Sequence, residues 1–256
     1  MFDEYIRPDE LGFKGERLDE LLSSGYYRMQ DSIFTTNQVY IGPYGKSNMF
    51  APVFWLRTNV EKMVETSSSK KIRRKCANFK INIKPAEITD EIEELFALYR
   101  NHVDFDTYAT CRDCMLEKES SSNPFNSWMI EIWDNTHLIA VGYFDIGKEA
   151  AMAIINFYHP TYKKYSLGKC LILKTLDYIR ENKMRYYYPG YICTTDDKMD
   201  YKVFPNIIPI QVYLPIEKEW MPFNNYTKRG LHAYFINKIL GIDVENLENS
   251  ADKDEL

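Results

Sequence analysis

Residues 127–188 read SWMIEIWDNTHLIAVGYFDIGKEAAMAIINFYHPTYKKYSLGKCLILKTLDYIRENKMRYYY. The stretch opens with three apolar segments, SWMIEIWD, HLIAVGYFDI and AAMAIINFY, each of strand length and rich in β-branched and aromatic residues. Asn135 and Thr136 separate the first two and Gly147 precedes the third, so the pattern predicts an antiparallel meander. From Ser166, a candidate N-cap, the period changes. Leu167, Cys170, Leu171, Leu176 and Ile179 fall on or near one face of a helix predicted over 166–182. The RYYY run beginning at Arg185 then reads as a returning strand, placed at the centre of the sheet. Three antiparallel strands, a helix and a further strand predict an α+β fold, a mixed sheet with helices packed against it.

Upstream, ERLDELLSSG reads as a short amphipathic helix closed by Gly25, and QVYIG and APVFWLR as strands. TDEIEELFALYRNHV spaces Ile92, Leu95, Phe96, Tyr99 and Val103 as a helix does, with Asp90 and Glu93 as a candidate capping box. Between them, KMVETSSSKKIRRKCANFKINIK (62–84) collects Lys70, Lys71, Arg73, Arg74, Lys75, Lys80 and Lys84 against the single acid Glu65. It reads either as a patch that holds phosphates or as a solvated linker at a domain boundary. The boundary is placed so that 1–80 form a smaller N-terminal α/β domain and 81–256 the main domain with an acidic C-terminal tail.

The 256 residues are 45% hydrophobic, enough to bury a substantial core, and the formal net charge of −5 gives no overall sign of nucleic-acid binding. No apolar run approaches the length that crosses a bilayer, and the N-terminus is too charged for a signal peptide. A cytoplasmic protein with no membrane partner is expected, and the final KDEL reads as part of a solvated acidic tail rather than an address. Five irregularly spaced cysteines argue against a disulfide framework. Cys111 and Cys114 form one C-x-x-C without a second ligand pair, and His102, His137, His159 and His232 show no matching spacing; no metal and no cofactor are expected.

RYYYPGYICTTDDKMDYK (185–202) places four tyrosines around Gly190 and follows them with Lys198, Tyr201 and Lys202. Buried phenols must find hydrogen-bond partners, so packing alone is served more cheaply by valine or phenylalanine. On its own the run reads as a tyrosine-rich core strand followed by a solvated lysine loop. In its setting, Tyr158 to Pro160, Ser166 to Gly168, Tyr186 to Tyr191 and Lys198 to Lys202 resemble, in order and spacing, the C-terminal domain of arginyl-tRNA–protein transferases and bacterial leucyl-tRNA–protein transferases. LDELLSSGYYRM and LRTNVEKMVETSSSKKIRRK are similar to that family's N-terminal segments. Three features depart from its pattern: His159 stands where the family has an acid, Pro189 stands where it usually has an aliphatic residue, and no cysteine lies between Tyr26 and Arg57, the region corresponding to the cysteine cluster of eukaryotic arginyltransferases.

The resemblance implies a GNAT-like sheet in the main domain and transfer of arginine or leucine from aminoacyl-tRNA to the N-terminal amine of acceptor proteins, acidic at that end, as in the N-end rule. It implies Tyr186, Tyr188, Gly190, Ser166, Gly168, Lys198 and Lys202 as substrate-binding residues and Tyr191 and Tyr201 as catalytic proton shuttles. Arg57, Lys70, Lys71, Arg73 and Arg74 would hold tRNA phosphates on the side of the molecule that carries Tyr188, Tyr191 and Lys198. The activated ester needs positioning and aimed donors rather than a covalent intermediate, and the end of AAMAIINFY is the strand expected to supply backbone N–H groups. His159 reads as structural. Two rivals share the fold: an acyl-CoA-dependent N-acyltransferase, against which YSLGKC has only one glycine for a pyrophosphate cradle, and a non-catalytic protein that binds tRNA or protein N-termini.

Overall fold

A computed structural model describes residues 4–44, 47–105, 107–120 and 122–242. The acidic tail and its KDEL lie outside the described residues. In chain order come β1 (Glu4–Ile6), α1 (Glu16–Ser23), β2 (Tyr27–Met29), β3 (Ser32–Thr35), β4 (Gln38–Tyr44), β5 (Ser47–Asn59), α2 (Ser67–Lys75), β6 (Lys80–Pro85), α3 (Asp90–Arg100) and α4 (Cys111–Met115). β7 (Ser127–Asp134), β8 (His137–Ile146), β9 (Ala150–Tyr158), α5 (Leu167–Glu181), β10 (Tyr186–Cys193), β11 (Ile210–Leu214), β12 (Glu219–Pro222) and α6 (Lys228–Tyr234) follow.

The expected mixed sheet flanked by helices is present. Its strands run in the order β12-β11-β5-β10-β9-β8-β7-β6, with β4 paired to β5, and a small separate sheet has the order β1-β3-β2. β7, β8 and β9 form the predicted antiparallel meander, and β10 returns parallel to β9. The sheet does not begin at residue 81. β5, from the first 80 residues, hydrogen-bonds to β10 on one edge and β11 on the other.

Helices α2 and α5 cover one face, where Ile72, Leu171, Leu176 and Ile179 pack on Ile130, Ile132, Phe144 and Tyr187. Further along that face Leu231 of α6 and the following Phe235 cover Phe54, Leu56 and Ile192. On the opposite face α3 and α4 lie over Met129, Val141 and Phe157, while α1 and the small sheet lie over Ala150, Met152 and Tyr188. All five cysteines are buried free thiols. Burial pushes the Cys114 thiol up to about 12 and Cys111 higher still, so neither is a ready thiolate.

Three local expectations change. The serine- and lysine-rich segment is not a linker but the helix α2: the Thr66 side chain accepts the Ser69 N–H, Arg73, Arg74 and Lys75 sit in the last turn, where cations favour a helix, and Ile72 is buried. The cap of α3 is Thr89 rather than Asp90, and Glu93 turns outward to accept the backbone N–H groups of Cys111 (2.8 Å) and Arg112 (2.9 Å), capping α4 instead. Ser166 occupies the N-cap of α5, but its backbone is left-handed (φ 59°) and its side chain makes no capping bond.

Candidate active site

β9 and β10 pair only at Tyr186, Tyr187 and Tyr188, opposite Ala150, Ala151 and Met152. A register shift in β10 between Tyr187 and Gly190 then turns it toward β5, and the second half of β9 is left without a strand on that side. The two strands run in the same direction, so the gap opens at their C-terminal ends. This is where β9, as the sequence implied, frees its backbone. The Tyr27 hydroxyl reaches into the start of the gap, against the carbonyls of Ala153 and Tyr188, and its removal from solvent pushes its pKa well up. Its ring stacks on Trp55 at 5.1 Å, and Trp55 meets Tyr191 edge-on at 5.3 Å.

Two further segments close on the gap. The start of α5 lies beside the end of β9, where an added Cβ on Gly168 would stand 3.8 Å from the Tyr158 ring. The 3-10 turn Asp200–Val203 brings Lys202 across β10: its Nζ lies 4.4 Å from the Tyr191 ring centroid and 6.0 Å from that of Tyr201. Phe204 continues to α5, where the Lys169 ammonium sits 5.3 Å over its ring. Gly190 makes this crossing possible. Its φ is +105°, and a Cβ there would lie 2.8 Å from Lys202 Nζ. We expect Gly190→Ala to lose about 1–3 kcal/mol of stability and to expel the Lys202 ammonium from its place; chemical denaturation reads the first and pH-dependent amine labelling of Lys202 the second.

Lys202 is partly exposed as a residue, but its ammonium end is enclosed, and burial alone lowers its pKa to about 8. No carboxylate among the described residues lies within ion-pair distance of it. The acids of the loop are engaged elsewhere: Lys228 of α6 reaches both Asp197 and Asp200 at 2.6 Å. Burial also raises Tyr191 and Tyr201, which keeps both phenols protonated at neutral pH.

The structure thus gathers Ser166, Gly168, Gly190, Tyr191, Tyr201 and Lys202 at one end of the sheet, with Lys198 exposed on the adjoining loop. Tyr186, Tyr188 and Arg57 are not brought to them. The Arg57 guanidinium lies 4.2 Å from the Tyr186 ring centroid and 4.6 Å from that of Trp220 and donates to Gln211 Oε1 at 2.7 Å, and the Trp220 indole N–H in turn donates to the Ser23 carbonyl at the end of α1. Tyr188, 2% exposed, packs edge-on to Trp220 in the same cluster. Arg57 is therefore separated from Lys70, Lys71, Arg73 and Arg74, which lie on α2 across the sheet, and the single basic surface that the sequence implied is divided. Arg73 forks to Asp177 of α5 at 2.5 and 2.6 Å; Lys70, Lys71 and Arg74 are exposed. His159 has a structural part: its Nδ1 lies 3.4 Å from the Thr161 N–H and 2.9 Å from its hydroxyl, at the head of the turn before α5. Tyr27 and Trp55 line the gap without a site motif of their own in the sequence; the one signal for Tyr27 is the Gly-aromatic-aromatic-Arg step at Gly25 to Arg28, and Trp55 reads only as part of a strand.

Residues 91–206 match the family model described as arginine-tRNA-protein transferase, C terminus. The aspartate/glutamate leucyltransferase of Acinetobacter baylyi is 28% identical over 161 residues, covering 62% of this chain and 58% of its own length. That of Saccharophagus degradans is 27% identical over 170 residues, covering 66% of this chain and 70% of its own. Among solved structures, FemX gives a TM-score of 0.40 at 11% identity, over 77% of this chain and 65% of its own. L-PGS from Bacillus licheniformis gives 0.40 at 6%, over 70% and 50%.

Proposed function

We propose, from matches that support an aminoacyl-tRNA–protein transferase family, that this chain moves an amino acid, leucine or arginine, from aminoacyl-tRNA to the N-terminal amine of proteins beginning with an acidic residue. The observation that carries the reading is the gap between β9 and β10, into which Tyr191, Tyr201, Lys202 and the start of α5 converge, all within the matched residues. An ester already carries its leaving group, so the work is to hold it, exclude water and move protons. Free β9 backbone and the first turn of α5 at Ser166 and Gly168 offer donors to the ester carbonyl, where charge develops. Tyr191 and Tyr201, kept protonated, hydrogen-bond the ribose and ester oxygens, and the exposed Lys198 meets the acceptor's acidic side chain.

The tRNA body lies along α2. Lys70, Lys71 and Arg74 face solvent there, and Lys75 Nζ donates to the Lys164 carbonyl at 2.6 Å, joining the end of α2 to the turn before α5. Lys163, Lys164 and Lys169 are exposed on that turn and the first turn of α5, so positive charge runs from α2 to the mouth of the gap. Arg57, Tyr186 and Tyr188 then act as packing that supports β10 rather than as substrate-binding groups.

The test is transfer itself, and the expected outcome is a peptide heavier by one amino-acid residue. Purified protein is incubated with leucyl-tRNA, arginyl-tRNA or acetyl-CoA and with peptides that begin with Asp, Glu or Ala, and the masses are read. Peptides gaining one residue from a charged tRNA support the reading, and a preference for Asp and Glu supports its acceptor. Acetylation from acetyl-CoA with no transfer from any charged tRNA overturns it.

A further inference from the structure

An ammonium group enclosed at the mouth of a cleft, with no carboxylate to answer it, is costly to keep charged. Lys202 is held so by geometry. Its Nζ lies against Gly190, the only residue type that leaves room for it, and over the faces of Tyr191 and Tyr201. The titratable groups beside it are phenols, Tyr191 from β10 and Tyr201 from its own turn, and Tyr201 is in turn within electrostatic reach of Tyr187 and Tyr27. The nearest acid along the chain, Asp200, is taken by Lys228, and Lys169 on α5 is turned onto Phe204. A lysine that only held phosphate or a carboxylate would gain from an exposed, fully charged position.

We propose that Lys202 is the proton carrier of the transfer step, taking a proton from the acceptor's ammonium and returning it to the leaving ribose oxygen. This rests on the transferase reading above. Neutral Lys202 removes one proton from the acceptor's ammonium, which becomes an amine. The amine's lone pair attacks the ester carbonyl carbon, forming the C–N bond. As the C–O bond to the ribose breaks, the Lys202 ammonium protonates the departing oxygen and becomes neutral again, while the extra proton on the new amide nitrogen leaves to water. A free α-amine titrates near 8, and burial brings Lys202 to about 8 as well, so the transfer between them is nearly thermoneutral and a minor but usable fraction of Lys202 is neutral, ready to accept a proton, near neutral pH.

The experiment compares wild type with Lys202→Arg and Lys202→Met, using whichever of leucyl- or arginyl-tRNA the wild type accepts and an Asp-initiated peptide. Arginine keeps the charge but does not give up its proton. A proton carrier predicts that both variants lose at least about a hundredfold in kcat with KM for tRNA and peptide little changed. An anion-binding role predicts instead that the arginine variant retains kcat and that the methionine variant raises KM, which overturns the proposal. Melting curves confirm that the variants fold. Amine labelling of Lys202 in the wild type, followed by mass analysis across pH, is expected to be half-maximal near pH 8; a midpoint near that of an ordinary lysine also overturns it. A wild type that transfers nothing from either tRNA removes the transferase reading and the proposal with it, whereas wild-type transfer with an active arginine variant removes the proposal alone.

Discussion

Arg28→Ala lowers the unfolding free energy by about 3–5 kcal/mol, a large share of the ~5–15 kcal/mol that keeps a protein of this kind folded. The Arg28 side chain is 1% exposed and that of Asp145 is fully buried, and one guanidinium nitrogen lies 2.8 Å from both carboxylate oxygens. The same nitrogen donates to Ser127 Oγ at 3.1 Å, the other terminal nitrogen donates to the Met115 carbonyl, and the guanidinium covers the Phe125 ring at 4.1 Å. One side chain of β2 thus ties the small sheet to β7, β8 and α4. Alanine leaves the Asp145 carboxylate buried with little beyond Ser127 to satisfy it. The cost therefore comes chiefly from the stranded charge rather than from the lost attraction, so Arg28→Met combined with Asp145→Leu recovers most of the stability. Urea midpoints of the three variants check this. A single alanine that costs under about 1 kcal/mol, or a double variant no better than the single, would show that the pair is not buried as described.

The same pair bears on the site. Tyr27 precedes Arg28, and its hydroxyl fills the start of the gap between β9 and β10 while its ring supports Trp55 and, through it, Tyr191. Anchoring β2 fixes that aromatic wall, so the charge pair positions the cleft without lining it.

Local patterns carried the order of elements because their causes are local. Leu167, Cys170, Leu171, Leu176 and Ile179 announce α5, since a helix repeats its buried face every three or four residues, and the turn at Asn135 and Thr136 fixes the hairpin of β7 and β8. What escaped the sequence depends on partners far along the chain. Nothing within APVFWLR tells that β5 lies between β10 and β11, because strand order is set by whole-sheet packing. Arg73 reads as one cation in a basic run, yet Asp177, which claims it, lies 104 residues away. Lys202 shows the same limit at the site itself. Its motif marked it as a charged group for substrate, whereas its lowered pKa arises from a register shift, a positive φ at Gly190 and the enclosure by Tyr191 and Tyr201.

The division within the basic segment leads to the second large effect. Lys70→Ala, Lys71→Ala and Arg74→Ala together should lower the salt slope of tRNA binding by about three units, one for each phosphate no longer held, and weaken binding accordingly at physiological salt. Stability should barely change, because these side chains are exposed. Arg73→Ala should do the reverse. Its guanidinium is committed to Asp177 and, at 3.2 Å, to Glu65, so its loss loosens α2 from α5 by about 1 kcal/mol and leaves the slope nearly untouched. Substituting all four at once would mix the two effects and make a weakened complex impossible to assign. Titrating charged tRNA against each variant over a range of salt, with melting curves alongside, separates them. An unchanged slope for the triple variant would remove α2 from the proposed tRNA path and leave Lys163, Lys164 and Lys169, at the mouth of the gap, as the next cations to substitute.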